Sequence, residues 1–283
     1  MKIIKKIIII LFFVFQNINS YSEEVVINSS KMDVINNGNL VIANNAEILI
    51  PVENIEVISD RANYEKIENI ITFIKNVIFE DKKKEVIIKG NLIKYERDKD
   101  LIYSEGKTNI EIENNYKVNS VNIFYDRSLN RIYSNEQTLI EDNENNFYIL
   151  KNGFNFDILE QIIKSKKSII VDNNSNTYNF ENLVLDIKKK EIAGKELKVE
   201  FEKSYFGNIN NDPIIRGRSS YSNEKELKVY KAVFSTCNIE NKKCRGWELN
   251  SDEFKHDKEK KIFEYRNTWL RIFDRKIFFT PYF

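Results

Sequence analysis

Histidine, cysteine, proline and glycine are all scarce in this chain. Its 283 residues include one histidine, two cysteines, three prolines and eight glycines. A closed structural zinc site takes about four ligands, mostly Cys and His, so the single histidine, His256, gives little support for one. The low content of proline and glycine argues against a collagen-like or linker-like chain.

The sequence also lacks the motifs of common enzyme classes. It has no glycine-rich phosphate loop, no nucleophile elbow and no pair of metal ligands at a recognisable spacing. Aspartate and glutamate total 43, so a carboxylate pair can still form in three dimensions, as in some solenoid glycosidases, but no spacing singles one out. We therefore expect a protein that is not an enzyme and carries no cofactor or metal.

Neither positive nor negative charge is in clear excess. Lysine and arginine total 44, almost equal to the acidic residues, and the formal net charge is +1. Such a chain lacks the long-range positive field of a nucleic-acid binder, so we expect no nucleic-acid partner. Two lysine runs, Lys82–Lys84 and Lys188–Lys190, are predicted to lie in solvated turns, with lipid phosphates as the alternative contact.

The first residues, Met1–Ser22, are typical of an export signal. Three lysines precede the apolar stretch Ile7–Phe15, and Ser20 and Ser22 provide small residues at a cleavage point. The apolar stretch is short for a transmembrane helix, although an uncleaved anchor is the alternative. We expect the chain to be exported.

The two cysteines, Cys237 and Cys244, have six residues between them. Because disulfides persist in oxidising compartments, an exported chain with two cysteines is predicted to join them.

A repeated stretch organises the middle of the chain. Tyr95–Thr108 reads YERDKDLIYSEGKT, and Tyr125–Thr138, 30 residues later (125 − 95), reads YDRSLNRIYSNEQT. Both copies contain a Tyr-Ser pair with a threonine four residues after the serine. Leu185–Lys198 keeps the pattern, and Asn155–Ser168 is a blurred copy. A fixed period of this kind predicts stacked supersecondary units.

Each unit is predicted to be a β-hairpin. Val86–Tyr95 and Val118–Tyr125 are rich in Val, Ile, Phe and Tyr and partly alternate apolar with polar residues, whereas Glu96–Asp100 and Asp126–Arg131 are polar turns. Helical spacing of apolar residues is not sustained, and short Ile-rich runs broken by Asn, Asp and Lys are poor helix formers. The chain is predicted to be all-β.

Aligning the copies gives two rows of side chains that share a face. One row contains Ile93 and Tyr95 with their equivalents, and the other contains Thr108 and Ile110 with theirs. In the blurred copy Gly153 falls on the row, so we expect a slip or bulge to turn the neighbouring phenylalanines inward. A closed solenoid would pack the rows together, and an open sandwich would leave an apolar trough. The candidate trough-lining residues are Val86, Ile88, Ile93, Tyr95, Ile110, Ile112, Ile123, Tyr125, Ile140, Ile170, Leu183 and Leu185.

The organisation is predicted to change at Gly207–Arg218, where glycine and proline cluster and the period is lost. We predict a signal peptide at 1–22, a lead-in at 23–60, a β-domain at 61–205 and a linker segment at 206–283.

The segment that follows contains the most specific motifs. It contains GRSSY at Gly217–Tyr221, VFSTC ending at Cys237, CRGWEL starting at Cys244, and a final Pro-Tyr-Phe at 281–283. Together with the repeats, these motifs resemble the LptD family of outer-membrane lipopolysaccharide-assembly proteins, and specifically its periplasmic OstA-like region. The likeness covers roughly residues 60–283. In that family, cysteines at this place can bridge the β-domain to the barrel. With two cysteines in the sequence, Cys237 and Cys244 are expected to form a local loop, with an intermolecular bond as the alternative.

The resemblance implies a fold, a function and partners. The fold is an OstA-type β-jellyroll of stacked hairpins, open and trough-like, followed by a mixed β linker. The function is lipopolysaccharide transport and outer-membrane assembly, with acyl chains held in the trough because each exposed CH₂ costs ~0.8 kcal/mol in water. The implied partners are lipopolysaccharide and a periplasmic LptA-like bridge protein, with an outer-membrane barrel or lipoprotein plug as a further partner. The implied location is the periplasm or the periplasmic face of the outer membrane.

The sequence departs from the family at Phe283, where the family's large barrel would begin. We therefore expect no translocating pore from these residues. A stand-alone LptA-like bridge is the first alternative, and it requires the C-terminal block to fold without a barrel. A carbohydrate-active β-solenoid is the second, and it requires a polar cleft lined by carboxylates.

Overall fold

The computed structural model describes residues 25–112, 116–203, 213–236 and 246–283. The predicted signal peptide, Met1–Ser22, and both cysteines, Cys237 and Cys244, lie outside the described residues. Export and the disulfide therefore stay predictions.

Strands account for most of the described chain. They are β1 Val26–Asn28, β2 Lys31–Ile35, β3 Leu40–Ile50, β4 Ile55–Glu65, β5 Ile70–Asp81, β6 Val86–Glu96, β7 Leu101–Ile112, β8 Tyr116–Val121, β9 Phe124–Asp126, β10 Arg131–Ser134, β11 Thr138–Asp142, β12 Phe147–Leu150, β13 Phe154–Asp157, β14 Ile162–Val171, β15 Thr177–Asp186, β16 Glu191–Glu200, β17 Ile214–Ser222, β18 Glu226–Ser235, β19 Trp247–Asp257, β20 Ile262–Ile272 and β21 Arg275–Tyr282. Three short 3-10 turns lie at Asn36–Gly38, Pro51–Glu53 and Arg97–Lys99. In the part of the chain that the structure describes, no helix has the length and apolarity of a membrane span.

The strands form one antiparallel sheet in which the chain runs back and forth. Successive long strands pair with each other, as β5 does with β6 and β6 with β7. Some strands are interrupted near the middle, so β8 with β9, β10 with β11 and β12 with β13 each act as one long strand. β3, β4 and β5 begin at positions 40, 55 and 70, a step of 15. Two steps make 30 residues, so the sequence repeat is a hairpin, as predicted.

Each long strand bends near its middle, and the bend changes which residues face inward. In β3, Val41 and Ala43 are buried before the bend, and Ala46 and Ile48 are buried after it. Asn45, between the two sets, has a left-handed φ of 47°. Because side chains alternate along a strand, one extra residue at the bend lets both halves turn apolar side chains to the same side.

The bends fold the sheet over on itself. Phe79 pairs with Ile88 near one end of β6, and Tyr95 lies near the other end of that strand. Ile88 and Tyr95 are seven residues apart, about 23 Å along a straight strand. Yet the ring centroids of Phe79 and Tyr95 are 6.1 Å apart, at an interplanar angle of 81°. The two halves of the sheet therefore enclose a common core, and the fold is an all-β jellyroll, which confirms the predicted class.

The predicted inward rows lie in this core. All twelve candidate trough residues are buried, with Ile112 the most exposed at 6%. Phe154 and Phe156 of the blurred copy are buried too, and Gly153 before them has a φ of +73°. The slip expected there is therefore confirmed.

The sheet also extends on both sides of the predicted β-domain. Residues of the predicted lead-in form β1, β2, β3 and the start of β4, and β3 pairs fully with β4. On the other side, β17 of the predicted linker segment pairs with β16. The functional division at 60 and 205 stays a prediction.

Candidate functional site

The hydroxyl groups of the repeated motif lie at the bends. Ser104 and Thr108 flank Gly106, whose φ is +80°. Thr108 Oγ1 is 2.7 Å from Ser104 Oγ and 3.1 Å from the Gly106 carbonyl oxygen, and the Ile123 N–H donates to Ser104 Oγ at 3.0 Å. The serine and threonine therefore form hydrogen bonds with backbone groups that lose their regular strand pairing at the bend.

Two further copies use their hydroxyls in the same way. Ser134 Oγ donates to the Val121 carbonyl at 2.8 Å, and Thr138 Oγ1 lies 2.7 Å from Ser120 Oγ. In the blurred copy, Ser165 Oγ donates to the Gly153 carbonyl at 2.6 Å. The serine and threonine that revealed the repeat in the sequence therefore lie at the bends of these copies and form hydrogen bonds there.

Folding the sheet brings two rows of turns together along one side of the molecule. We call the contact between them the polar seam. Its central part consists of the buried residues Asp81, Tyr95, Arg97, Tyr125 and Arg127 and the partly exposed Glu53 and Asp100.

Arg127 is the centre of the buried seam. Its side chain is 8% exposed, and its Nε donates to Asp81 Oδ2 at 2.8 Å while Nη1 donates to Asp100 Oδ1 at 2.6 Å. The Tyr125 hydroxyl also donates to Asp81, at 2.8 Å. Burial, together with Asp81, raises the pKa of Tyr125, so this tyrosine stays a neutral donor.

A second arginine extends the seam to the neighbouring turn. Arg97 Nη2 donates to Glu53 Oε1 at 2.9 Å, and Arg127 Nη2 donates to the Glu53 carbonyl oxygen at 3.0 Å. The Tyr95 hydroxyl contacts Glu53 and donates to Asp100 at 2.9 Å. These contacts join the turns of the two halves of the sheet and cover the end of the apolar core beside Tyr95.

Two lysines cross the seam where the sequence predicted solvated turns. Lys84 Nζ donates to the Arg127 carbonyl at 2.8 Å. Lys190 Nζ donates to Glu144 Oε1 at 2.8 Å and to Glu224 Oε1 at 2.7 Å. The last lysine of each run thus joins the two rows of turns. Both runs lie in turns as predicted, and all of their lysines except the half-buried Lys84 are exposed.

Further along the seam the two rows separate and leave a cleft of about 330 Å³. Its apolar floor consists of Tyr148, Ile170, Tyr178, Phe180 and Ile192. Its polar rim consists of Glu144, Asn146, Asp172, Asn173, Asn174, Ser222, Glu224 and Lys258. A second space of about 120 Å³ shares several of these residues and reaches Tyr116 and Leu185.

Only part of the predicted trough reaches this cleft. Ile170 lines the cleft, and Leu185 lines the adjoining space. The other ten candidates are buried in the packed core and line neither of these two spaces. Whether any of the twelve contacts a lipid stays a prediction.

Sequence reasoning missed the tyrosines of the cleft, although a signal was present. Asp142 and Tyr148 recur 30 residues later as Asp172 and Tyr178. The Tyr148 hydroxyl donates to Asp142 Oδ2 at 2.8 Å, and the Tyr178 hydroxyl donates to Asp172 Oδ2 at 3.0 Å. Each aspartate also accepts backbone N–H groups of its own turn, as Asp172 does from Asn176 at 2.8 Å. A repeated turn motif therefore holds each tyrosine at the cleft.

The rim combines several carboxylates with one inward lysine. Lys258 Nζ donates to the Asn223 carbonyl at 2.6 Å. Burial lowers the pKa of Lys258, while Asp172, Glu144 and Glu224 act in the opposite direction. Within the described ranges, no three His, Cys, Asp or Glu side chains are grouped as a metal ion would need. An apolar floor under a polar rim suits a molecule with an apolar chain and a polar head group.

Fold and cleft together define the class: an antiparallel β-jellyroll with an amphipathic cleft in its seam. No protein-family model matches the chain, and no curated protein matches it. Among solved structures, the chain is similar to LptH from Pseudomonas aeruginosa, the LptA homologous periplasmic component of the conserved lipopolysaccharide transport device. The identity is 9%, and the alignment covers 51% of this chain and 82% of that chain, with a TM-score of 0.23. A TM-score this low says nothing of function.

Proposed function

We propose that this chain binds lipopolysaccharide through an acyl chain in the cleft and takes part in lipopolysaccharide transport to the outer membrane. The observation that carries the proposal is the cleft itself, where an apolar floor opens through the polar seam. The motifs between Gly217 and Phe283, which resemble the LptD family, support the choice of lipid.

The energetics favour an acyl chain at the floor. Moving one CH₂ group out of water gains ~0.8 kcal/mol, so even part of a chain lying on Ile170, Phe180 and Ile192 gains several kcal/mol. The sugar head group then remains at the rim, in contact with water. A lipid bound in this way avoids exposing its tail outside the membrane.

Transfer along the molecule is proposed to require opening of the seam. The predicted trough residues beyond the cleft, such as Ile93 and Tyr125, are packed against the opposite half of the sheet. The buried ion pairs of Arg127 hold that region closed, whereas the ion pairs of Lys190 beside the cleft are exposed. Exposed pairs contribute little stability, so we propose that lipid enters at the cleft.

A binding role without catalysis is part of the proposal. The Asp172 carboxylate accepts hydrogen bonds on both oxygens from its own turn. Glu144 and Glu224 both accept a hydrogen bond from Lys190, and this contact lowers the pKa of Glu224, whereas the general acid of a glycosidase needs a raised pKa. These contacts favour a binding cleft over the carboxylate-lined active site of a glycosidase.

A stand-alone bridge of the LptA kind is the second candidate. It is favoured by the pairing of β16 with β17 and the continuation of the sheet through β21, because the C-terminal block folds as part of the jellyroll. In both candidates, docking to a partner is proposed to occur by strand addition at an edge of the described sheet, such as β21. The periplasm or the periplasmic face of the outer membrane is the proposed location.

Photo-crosslinking in cells that make lipopolysaccharide tests the proposal. A photoreactive residue at Ile192 or Tyr178 should capture lipopolysaccharide, and one at Lys94 on the outer face should not. Equal capture from Lys94 would contradict the proposal. A photoreactive residue at Phe279 of β21 separates the candidates, because a bridge should capture another periplasmic jellyroll there and the LptD-like region an outer-membrane barrel.

A further inference from the structure

The rim of the cleft contains carboxylate, amide, hydroxyl and ammonium groups. Four side-chain donors of the cleft, two in the rim and two in the floor, already donate hydrogen bonds to neighbouring side chains. Asn146 Nδ2 and the Tyr148 hydroxyl donate to Asp142, the Tyr178 hydroxyl donates to Asp172, and Asn174 Nδ2 donates to Asn173 Oδ1. The amide and hydroxyl groups that remain are neutral, and neutral groups bind polyols well but provide no charge for an anion.

The charges at the rim are mostly negative. Three carboxylates, Glu144, Asp172 and Glu224, line the cleft against one ammonium group, that of Lys258. Burial lowers the pKa of Lys258, and these three carboxylates lie close enough to offset part of that effect. Lys190, the second nearby cation, is bound between Glu144 and Glu224. Each glutamate uses Oε1 for that contact and keeps Oε2 as an acceptor.

We propose that the cleft selects an amphiphile whose head group donates hydrogen bonds, through hydroxyl or ammonium groups, and that it disfavours a phosphate at the rim. The inference rests on the proposed function and names the part of the lipid that faces the rim. Hydroxyl and ammonium groups can donate hydrogen bonds to the Oε2 atoms of Glu144 and Glu224. A phosphate would instead bring further acceptors and negative charge to a site that is already negative. The alternative of lipid phosphates meeting the lysine run at Lys190 is therefore not favoured.

Three single-chain amphiphiles with the same tail test the inference: dodecyl maltoside, dodecylammonium and dodecyl phosphate. Binding is measured by titration calorimetry below each critical micelle concentration, at low ionic strength. We expect dodecyl phosphate to bind about tenfold more weakly than the other two. Binding of dodecyl phosphate as tight as that of dodecyl maltoside would overturn the inference and leave the proposed function standing.

Matched variants assign the selectivity to the rim. The double substitution Glu144→Gln and Glu224→Gln lies at exposed side chains, so the fold should survive, and it should bring dodecyl phosphate within about threefold of dodecyl maltoside. Asp252→Asn, which removes an exposed ion pair with Lys231 on the outer face, is the control and should change nothing. If the double variant keeps the wild-type selectivity, the rim does not set it and the inference is wrong.

A third variant locates the tail and separates the two proposals. Ile192→Trp should fill the cleft and weaken binding of dodecyl maltoside and dodecylammonium. If none of the amphiphiles binds the wild-type protein, the proposed function fails and the inference fails with it. If they bind equally well to the Ile192→Trp variant, the site lies elsewhere.

Discussion

His256, the one histidine of the chain, is buried among aromatic rings. Its side chain is fully buried, and its ring centroid lies 4.9 Å from that of Phe263 and 5.5 Å from that of Phe201. Burial, reinforced by Lys258, lowers the pKa of His256 to about 4 from its usual 6.5. The folded protein therefore holds a neutral imidazole over a range of pH in which the unfolded chain binds a proton.

This histidine predicts a loss of stability in acid. Since the pKa is lower in the folded state, the free energy of unfolding should fall as the pH drops below about 6.5, and the loss should be complete near pH 4. The contribution is about 3 kcal/mol. Urea unfolding measured across this range should show the loss in the wild type. His256→Phe should remove that part of it, and an unchanged pH dependence would contradict the prediction.

Substituting Gly153 is predicted to lower stability for two reasons: its backbone conformation and the atoms that its Cβ would contact. A Cβ at this position would lie 2.0 Å from the Ser134 carbonyl oxygen, and its φ is +73°. Gly106 has a similar φ of +80° but nothing within 4 Å of such a Cβ. We expect Gly153→Ala to cost about 3 kcal/mol and Gly106→Ala only about 1 kcal/mol, by thermal or urea unfolding. Equal costs would show that backbone strain alone decides.

At the scale of the strand, the bend depends on buried hydroxyl groups. Thr138 is fully buried and lies 2.7 Å from Ser120 Oγ. Thr138→Val keeps the shape but leaves the Ser120 hydroxyl without this partner, so we expect a loss of about 1–2 kcal/mol in the free energy of unfolding. Thr72→Val in β5, which is only partly buried, is the control and should be nearly neutral. A neutral Thr138→Val would mean that the bend does not need the hydroxyl.

The seam makes a stronger prediction at the same scale. Arg127→Met would leave Asp81, whose side chain is completely buried, without its ion pair. Breaking a buried pair in this way costs about 3–5 kcal/mol, whereas Arg131→Met at an exposed position of β10 should cost almost nothing. Unfolding of the two variants in urea measures the difference. Similar stability of both would show that the seam contributes little to holding the halves together.

For the whole molecule, we predict that β21 promotes association, because among the described strands it pairs with β20 alone. Ile277 and Phe278 of β21 are 58% and 59% exposed, and the strand pairs on one side with β20. An exposed apolar edge favours pairing with another chain. We expect the protein to self-associate, and the double substitution Ile277→Lys and Phe278→Lys to make it monomeric in sedimentation velocity. Ile67→Lys, at an exposed turn residue, is the control and should leave association unchanged. A wild-type chain that stays monomeric would contradict the prediction.

The sequence by itself determined the hairpins, the inward rows and the slip at Gly153. These features depend on alternation along a strand and on turn residues, which act over a few positions, so a 30-residue repeat makes them visible. The aspartate–tyrosine turn motif was visible for the same reason, since the two residues lie six positions apart in both Asp142/Tyr148 and Asp172/Tyr178.

The tertiary structure alone decided that the sheet folds over, that the seam closes it and where the cleft opens. Asp81 and Arg127 are 46 residues apart in the sequence, as are Glu144 and Lys190. Which turns meet depends on the bend angle of every strand between them, and no local pattern reports that angle. The lysine runs illustrate the limit: their composition predicted solvated turns, but only the folded sheet could bring Lys84 and Lys190 across the seam.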